Sequence, residues 1–316
     1  MLLSVIIPVY NLKGYLKGCL ESVTSQGLPE DSYEIICIDD GSSDGSLQEL
    51  ESLSSIINNL RIIGKENGGV SSARNVGMYS ARGKYILFLD ADDNLGPSSL
   101  KVLLNMAEES DADLFIARST IGGNGKEKYP WSRSFSPNIS YTPQQILSKG
   151  YFRGSACGCL FNRGQLSRNK LEFDEDLAVS EDTIFMSSCL SCLKSVQFID
   201  INLYEISERS GSASRTVSRE QLPKYGRALD VIEKLSGKKP PYQPILHYAK
   251  YQIIIRIAVL ANKLQFGAGE TARETGLSNH LPIKMEGIKV DRIKIGILNR
   301  SFTLFKAMIK LRDSLK

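Results

Sequence analysis

Asp90-Ala-Asp92-Asp93 sets two carboxylates one residue apart at the end of an unbroken apolar run, Ile86-Leu-Phe-Leu89. Carboxylates so spaced offer two hard oxygen donors to one divalent cation, and such a cation can bridge to phosphate oxygens. A solvated acidic turn that caps the next helix is the plainer reading, and Asp-x-Asp alone does not decide between them. Asp39-Asp40 closes a second apolar run and leads into Gly-Ser-Ser-Asp44-Gly45, which reads equally well as a turn with Asp44 capping the next helix. Tyr10-Asn11 closes a third, Ser4-Val-Ile-Ile-Pro-Val9, where the ring can simply cover a strand edge. Ser180-Glu181-Asp182 precedes another apolar stretch and has the form of an ordinary helix start, Ser180 as N-cap and two acids on the helix dipole. Arg74, by its spacing alone, is a solvated helix residue as readily as a ligand contact.

These clusters need a frame to bring them together. Continuous apolar runs predict strands at 4–9, 34–38, 60–63, 85–89 and 113–117. Apolar positions at helical spacing predict helices near 12–25, 47–53, 70–81 and 98–108. Runs without alternation are expected where helices cover both faces of a parallel sheet, so the first 117 residues predict an α/β, doubly wound, mainly parallel sheet. In that architecture ligands bind beyond the carboxyl ends of the strands, where Tyr10-Asn11, Asp39-Asp40 and Asp90–Asp93 all fall. From 118 to about 180 the pattern loosens, with a hairpin expected around Trp131 and a short helix after Thr142-Pro143. A helix is predicted from Glu181 to Leu193, a strand at 196–199, then helices from 221 onward, broken at 237–244, with a long one at 245–264 and a last one at 301–315. Residues 237–244 and 267–282 are the expected joints.

Composition narrows the function classes. A chain of 316 residues, 42% hydrophobic and 23% charged, has the material for a large core and is neither disordered nor fibrous. The net charge of +4 does not imply nucleic acid, and the basic excess sits in the tail: residues 281–316 carry nine Lys/Arg against three Asp/Glu. Nothing approaches the roughly 18–20 apolar residues of a membrane span. The apolar start has no cationic leader and is interrupted by Pro8, so it predicts a buried strand, and the cytoplasm is the expected compartment. Six cysteines in a chain this long do not suggest a disulfide scaffold. Cys157-Gly-Cys159 and Cys189-Leu-Ser-Cys192 have the short spacings of a zinc site, but the second pair continues a helix's apolar face, which favours small buried thiols. His247 and His280, the two histidines, are remote from the acidic clusters.

Five motifs in fixed order carry a resemblance: Ser4-Val-Ile-Ile-Pro-Val-Tyr-Asn11, Ile38-Asp-Asp-Gly-Ser-Ser-Asp-Gly45, Gly68-Gly-Val-Ser-Ser-Ala-Arg-Asn-Val-Gly77, Gly83-Lys-Tyr-Ile-Leu-Phe-Leu-Asp-Ala-Asp-Asp93 and Ser180-Glu-Asp182. Together they resemble the family 2 glycosyltransferases of the GT-A fold, strongly over 3–115 and more loosely over 150–212. The resemblance implies a catalytic domain at 1–220, with a nucleotide-binding half at 1–117 and an acceptor-binding half at 118–220. Residues 221–316 are then a helical extension with a basic amphipathic end.

Roles come from the same resemblance. Pro8 and Tyr10 fall against the nucleotide, with the Tyr10 ring on the base. Asp40 matches the carboxylate that accepts from a uracil ring N–H, with Asp39 nearby, and Arg74 matches a base or diphosphate contact. Asp92 matches the ligand of Mn2+ or Mg2+ on the diphosphate, Asp90 a ribose or water-mediated metal contact, and Asp182 the catalytic base. The implied reaction is inverting, from a nucleotide-sugar donor, UDP-linked by preference, to a saccharide or lipid-linked saccharide acceptor in bacterial surface polysaccharide synthesis. Trp131, Tyr141, Tyr151 and Phe152 fall in the acceptor region, where aromatic faces can stack on sugar or simply pack. The segment 209–214 is a candidate closing loop, with a phosphate contact from Arg209. The last helix, with Phe302, Phe305 and Ile309 on one side, can dock on its own domain, pair with a second copy, or lie on the inner face of the plasma membrane. Without membrane spans or a Gln-x-x-Arg-Trp motif, a non-processive enzyme is expected. The rivals are a nucleotidyltransferase, disfavoured because Pro-Val-Tyr-Asn-Leu-Lys stands where its Gly-rich loop belongs, and an inactive nucleotide-sugar-binding partner. Redox dinucleotide chemistry lacks its Gly-x-Gly-x-x-Gly.

Overall fold

The computed structural model describes residues 1–122, 125–128, 130–132, 134–207, 217–283 and 297–314, with residues 312–314 described by backbone alone. The segment 209–214 with Arg209, and residues 284–296 of the basic tail, lie outside the described residues. The chain forms two compact units: Met1–Thr142, Ser155–Glu175 and Leu193–Glu208 make the first, and Pro143–Gly154, Asp176–Cys192 and Arg209–Lys316 the second.

The first unit is built on one mixed sheet. Its strands are β1 (Leu3–Val9), β2 (Tyr33–Asp39), β3 (Leu60–Gly64), β4 (Tyr85–Phe88), β5 (Asn94–Leu95), β6 (Leu114–Ile121), β7 (Lys126–Glu127), β8 (Ser140–Tyr141), β9 (Cys159–Asn162) and β10 (Val196–Ile206). The spatial order is β3-β2-β1-β4-β9-β6-β10-β5, with β7 beside β6 and β8 beside β10. The predicted parallel core is present: β3, β2, β1 and β4 pair in parallel, as do β6 and β10. Between the two blocks runs β9, antiparallel to both neighbours, a central strand that the sequence pattern does not announce. Strands β6 and β7 pair antiparallel, Ile121 opposite Lys126, while Trp131, around which a hairpin is expected, lies in no strand.

Helices α1 (Leu16–Thr24), α2 (Ser46–Ser54), α3 (Gly69–Ser80) and α4 (Ser99–Glu108) fill the predicted connections. Every residue of β1 and β2 is buried, the condition that produces apolar runs without alternation. Within β2 the buried Glu34 is held by the Ser4 hydroxyl at 2.7 Å, the Arg61 guanidinium at 2.6 Å and the Arg82 amide at 2.7 Å. Gly77 lets α3 lie directly on this core, since a Cβ there would sit 2.3 Å from Ile6 Cγ2.

Pro8 in a central strand needs a reason, because it has no N–H to give the ladder. The Leu89 amide donates to Ile6 O at 3.0 Å and the Asp40 amide to Val9 O at 2.8 Å, so even-numbered residues of β1 face β4 and odd ones face β2. The β1–β4 register ends at Ile6 opposite Phe88. Pro8 is the next position on that side, and the ladder stops where its donor is missing.

The second unit is helical: α5 (Pro143–Ser148), α7 (Glu181–Cys192), α8 (Gln221–Gly237), α9 (Pro244–Lys263), α10 (Ala268–Thr275) and α11 (Phe302–Ser314), while α6 (Arg163–Arg168) belongs to the first unit. Helix α9 is its centre, packed by α7, α8 and α11. Of the three destinations open to the last helix, its own unit takes the apolar face. Phe305 and Ile309 are buried, the former with its ring centroid 6.2 Å from that of Tyr251, while Leu304 and Leu311 stay exposed. Among the described residues no helix is long and apolar enough to cross a membrane.

Candidate active site

Strand register brings the candidate residues of the first unit to one edge. Val9 pairs with Asp39, and Ile6 with Phe88, so the carboxyl ends of β1, β2 and β4 finish side by side. Pro8, Tyr10, Asp39, Asp40, Asp90 and Asp92 all lie at or just beyond those three ends. This is also where the strand order turns back, from β3-β2-β1 toward β4, the switch point at which open α/β sheets hold ligands. Tyr10 is 51% exposed there, a free aromatic face, while Pro8 is buried within β1.

Asp39 and Asp40 are both buried but differently occupied. Asp40 Oδ1 accepts from Lys65 Nζ at 2.7 Å and the Gly68 amide at 2.9 Å, and Oδ2 accepts from the Gly69 amide at 2.7 Å. Gly68 and Gly69 begin α3, so Asp40 serves as that helix's N-terminal cap from another element. Asp39 has its Oδ2 on the Ser42 amide at 3.3 Å, and its Oδ1 is buried with no hydrogen-bond partner. A buried carboxylate oxygen without a donor is a costly arrangement unless a ligand supplies one. Of this pair, Asp40, to which the resemblance assigns the base contact, is met by three protein donors, while Asp39 keeps one oxygen that no protein group meets.

Arg74, on α3, is no solvated residue: it is 3% exposed, with Nη2 2.8 Å from Asp90 Oδ1 and its guanidinium over the Phe173 ring. The acidic turn itself closes with the Asp93 amide on Asp90 O at 3.0 Å. Asp93, without a role in the sequence reading, is buried. Its Oδ2 accepts from the Tyr204 hydroxyl at 2.7 Å and its Oδ1 from the Ser207 amide at 2.7 Å. The same hydroxyl accepts from the Asp90 amide at 3.2 Å. Burial, reinforced by the charge of Asp90, pushes the Asp93 carboxyl up to about 7 against the pull of its two hydrogen bonds. Asp92 is half-buried. The donor set fits Mn2+ or Mg2+, hard ions that keep several waters and take one or two carboxylates plus phosphate oxygens. Among the described residues no group of three or more His, Cys, Asp or Glu could hold a metal ion by itself.

In the second unit Asp182 lies half-buried in the first turn of α7 beside Glu181. The expected cap is only a backbone one: Ser180 O accepts from the Ile184 amide at 3.0 Å, but Ser180 takes a positive φ of 62° and its hydroxyl has no partner. Trp131 offers no stacking face. It is 1% exposed, packed on Phe198 with Phe135 and Tyr141 alongside, and Phe152 of the second unit packs on Tyr248. All six cysteines are free thiols.

The fold and this sheet edge define an α/β unit with an acidic cluster at the switch point of its sheet. The sequence places it more narrowly: residues 4–168 match the Glycosyl transferase family 2 model, and the chain belongs to that family. A poly(ribitol-phosphate) beta-glucosyltransferase of Bacillus spizizenii is 30% identical over 75% of this chain, which spans 37% of that relative's length. Among solved structures, Staphylococcus aureus TarS 1-349 in complex with UDP-GlcNAc superposes with a TM-score of 0.70 at 21% identity, covering 87% of this chain and 78% of that one. A mannosyltransferase from Pyrobaculum calidifontis in complex with GDP-Man and Mn2+ gives 0.56 at 16% identity, covering 97% and 84%.

Proposed function

We propose that the chain is an inverting, non-processive, metal-dependent glycosyltransferase that moves a sugar from a UDP-linked donor to a saccharide or lipid-linked saccharide of the bacterial surface. The observation that carries this reading is the shared sheet edge, where an exposed aromatic ring, a buried carboxylate oxygen lacking a donor, and an acidic turn meet. Tyr10 stacks on the base and Asp39 Oδ1 accepts its ring N–H. Asp92, with Asp90 steadied by Arg74, would hold Mn2+ or Mg2+, and the ion when bound offsets charge on the departing diphosphate. A sugar hydroxyl is a weak nucleophile until its proton is removed in the transition state, and Asp182 is the group that takes it. One displacement at the anomeric carbon then needs no covalent intermediate. The names of the relatives support the polymer acceptor, and the nucleotide complexes of the structural neighbours support the donor class.

The test is a thermal-shift screen of UDP-, GDP- and CDP-sugars with and without Mn2+, followed by product analysis. Stabilisation by UDP-sugars that needs Mn2+ and is lost in Asp92→Ala, with release of UDP, is the expected result. Formation of pyrophosphate from a nucleoside triphosphate and a sugar 1-phosphate instead would identify a nucleotidyltransferase, and binding with no turnover on any saccharide acceptor would leave a sugar-nucleotide-binding protein.

A further inference from the structure

Three carboxylates within four residues, Asp90, Asp92 and Asp93, repel one another, and a turn carrying them opens unless something outside it holds both ends. Arg74 holds Asp90 and the Ser207 amide holds Asp93, and one oxygen touches both ends. The Tyr204 hydroxyl accepts from the Asp90 amide at 3.2 Å and donates to Asp93 Oδ2 at 2.7 Å, so one buried atom braces the turn from its first residue to its last, beside the turn's own Asp93 amide–Asp90 O bond. Tyr204 is itself fixed. It is 2% exposed, lies in β10, and is in register opposite Leu95 of β5, the strand into which the turn runs. Ser207, three residues further along, adds its amide to Asp93 Oδ1. The two ends of the acidic turn are thus referenced to the end of β10 rather than only to β4, which precedes them.

We propose that Tyr204 is a positioning residue for cation binding, its hydroxyl setting the shape of the 90–93 turn through Asp90 N and Asp93 Oδ2. The proposal rests on the reading of that turn as the site of the diphosphate-bound cation. A phenol hydroxyl donates and accepts at once, as these two contacts require. A cation that takes only one or two protein oxygens depends on where those oxygens stand before it arrives, so a loosened turn weakens the metal step selectively.

Tyr204→Phe removes the oxygen and keeps the ring. The full chain and the variant are compared by melting temperature without metal, by UDP affinity without metal, and by Mn2+ titration in saturating UDP, followed by electron paramagnetic resonance of free Mn2+. The expected outcome is metal-free UDP affinity within twofold of wild type and Mn2+ affinity lowered about tenfold. A folded variant that binds Mn2+ as tightly as wild type overturns the proposal, whatever its melting temperature, because a merely structural role would move only the latter. If the variant does not fold, Asp93→Asn leaves the hydroxyl but alters its anchor. Weaker Mn2+ binding that persists at high salt supports the proposal, and unchanged binding overturns it. Wild-type protein that binds UDP-sugar but no Mn2+ sinks the reading of the turn itself, an outcome distinct from equal Mn2+ binding by wild type and variant.

Discussion

Asp39 and Asp40 are adjacent, both buried, and expected to respond oppositely to the same isosteric change. In Asp39→Asn the amide oxygen must remain at the Oδ2 position, because the Ser42 amide donates there, so the NH2 group takes the place of Oδ1. The acceptor assigned to the base in the proposed reading becomes a donor. A uracil ring presents N–H at that point and is rejected, whereas a cytosine ring presents a bare nitrogen and is accepted. The lost contact is a hydrogen bond to a charged group, about 1.5–3 kcal/mol, so UDP affinity falls about 10- to 100-fold while CDP holds or gains. Stability barely changes, since Oδ1 has no partner within the protein to lose. Asp40→Asn instead disturbs three donors, Lys65 Nζ and the amides of Gly68 and Gly69. Both glycines are exposed and water can replace part of the loss, so the change is about 1–2 kcal/mol of stability, a melting temperature lower by a few degrees, with no switch of base preference. Calorimetric titration of both variants with UDP and CDP, beside their melting curves, decides the matter. If Asp39→Asn binds UDP within twofold of wild type while Asp40→Asn loses it, the assignment is reversed and the geometric argument fails.

Asp182→Asn should lower sugar transfer about 10²- to 10⁴-fold with UDP affinity unchanged, measured by UDP release against UDP titration; retained turnover removes Asp182 from the chemistry. Glu34 is raised by burial but lowered further by Ser4, Arg61 and the Arg82 amide, so its net pKa lies below the ordinary carboxylate value. Its contribution is therefore present above that ordinary value and lost as pH falls through the depressed one. In melting curves from pH 7 to 3, Glu34→Gln should be several degrees less stable than wild type at neutral pH, with the gap closing toward acid; a pH-independent gap contradicts the ionised pairing. Phe305→Ala should cost about 3–5 kcal/mol of stability in a denaturant titration, because the side chain is fully buried against α9; a change below about 1 kcal/mol would mean that α11 does not dock.

The parallel half of the sheet was legible because Val5–Val9, Ile35–Ile38 and Tyr85–Leu89 are apolar at every position, a pattern that depends only on local burial. Strand β9 was not, since Cys159-Leu-Phe-Asn162 is four residues among glycines and serines, and its place between β4 and β6 is decided by pairing with residues 43 to 77 positions away. Likewise β10 runs on to Ile206 past the predicted end at Ile199, because Asp200 and Asn202 fall at register shifts that break the period. The acidic clusters were found from their positions at strand ends, yet the sequence does not distinguish Asp39 from Asp40. That depends on which carboxylate the 65–69 loop captures. Tyr204 escaped notice for a similar reason, its hydroxyl reaching Asp93 across 111 residues of chain.

Pro8 has a consequence for the whole edge. With an ordinary amide in that position, β1 and β4 would be free to zip one rung further, toward Asp90, and the fork between their ends would narrow. An imino acid cannot form that rung, so the gap is held open by covalent structure, independent of temperature, salt or occupancy. The mouth of the crevice is in this sense written into a ring of five atoms, and it is there before any guest arrives.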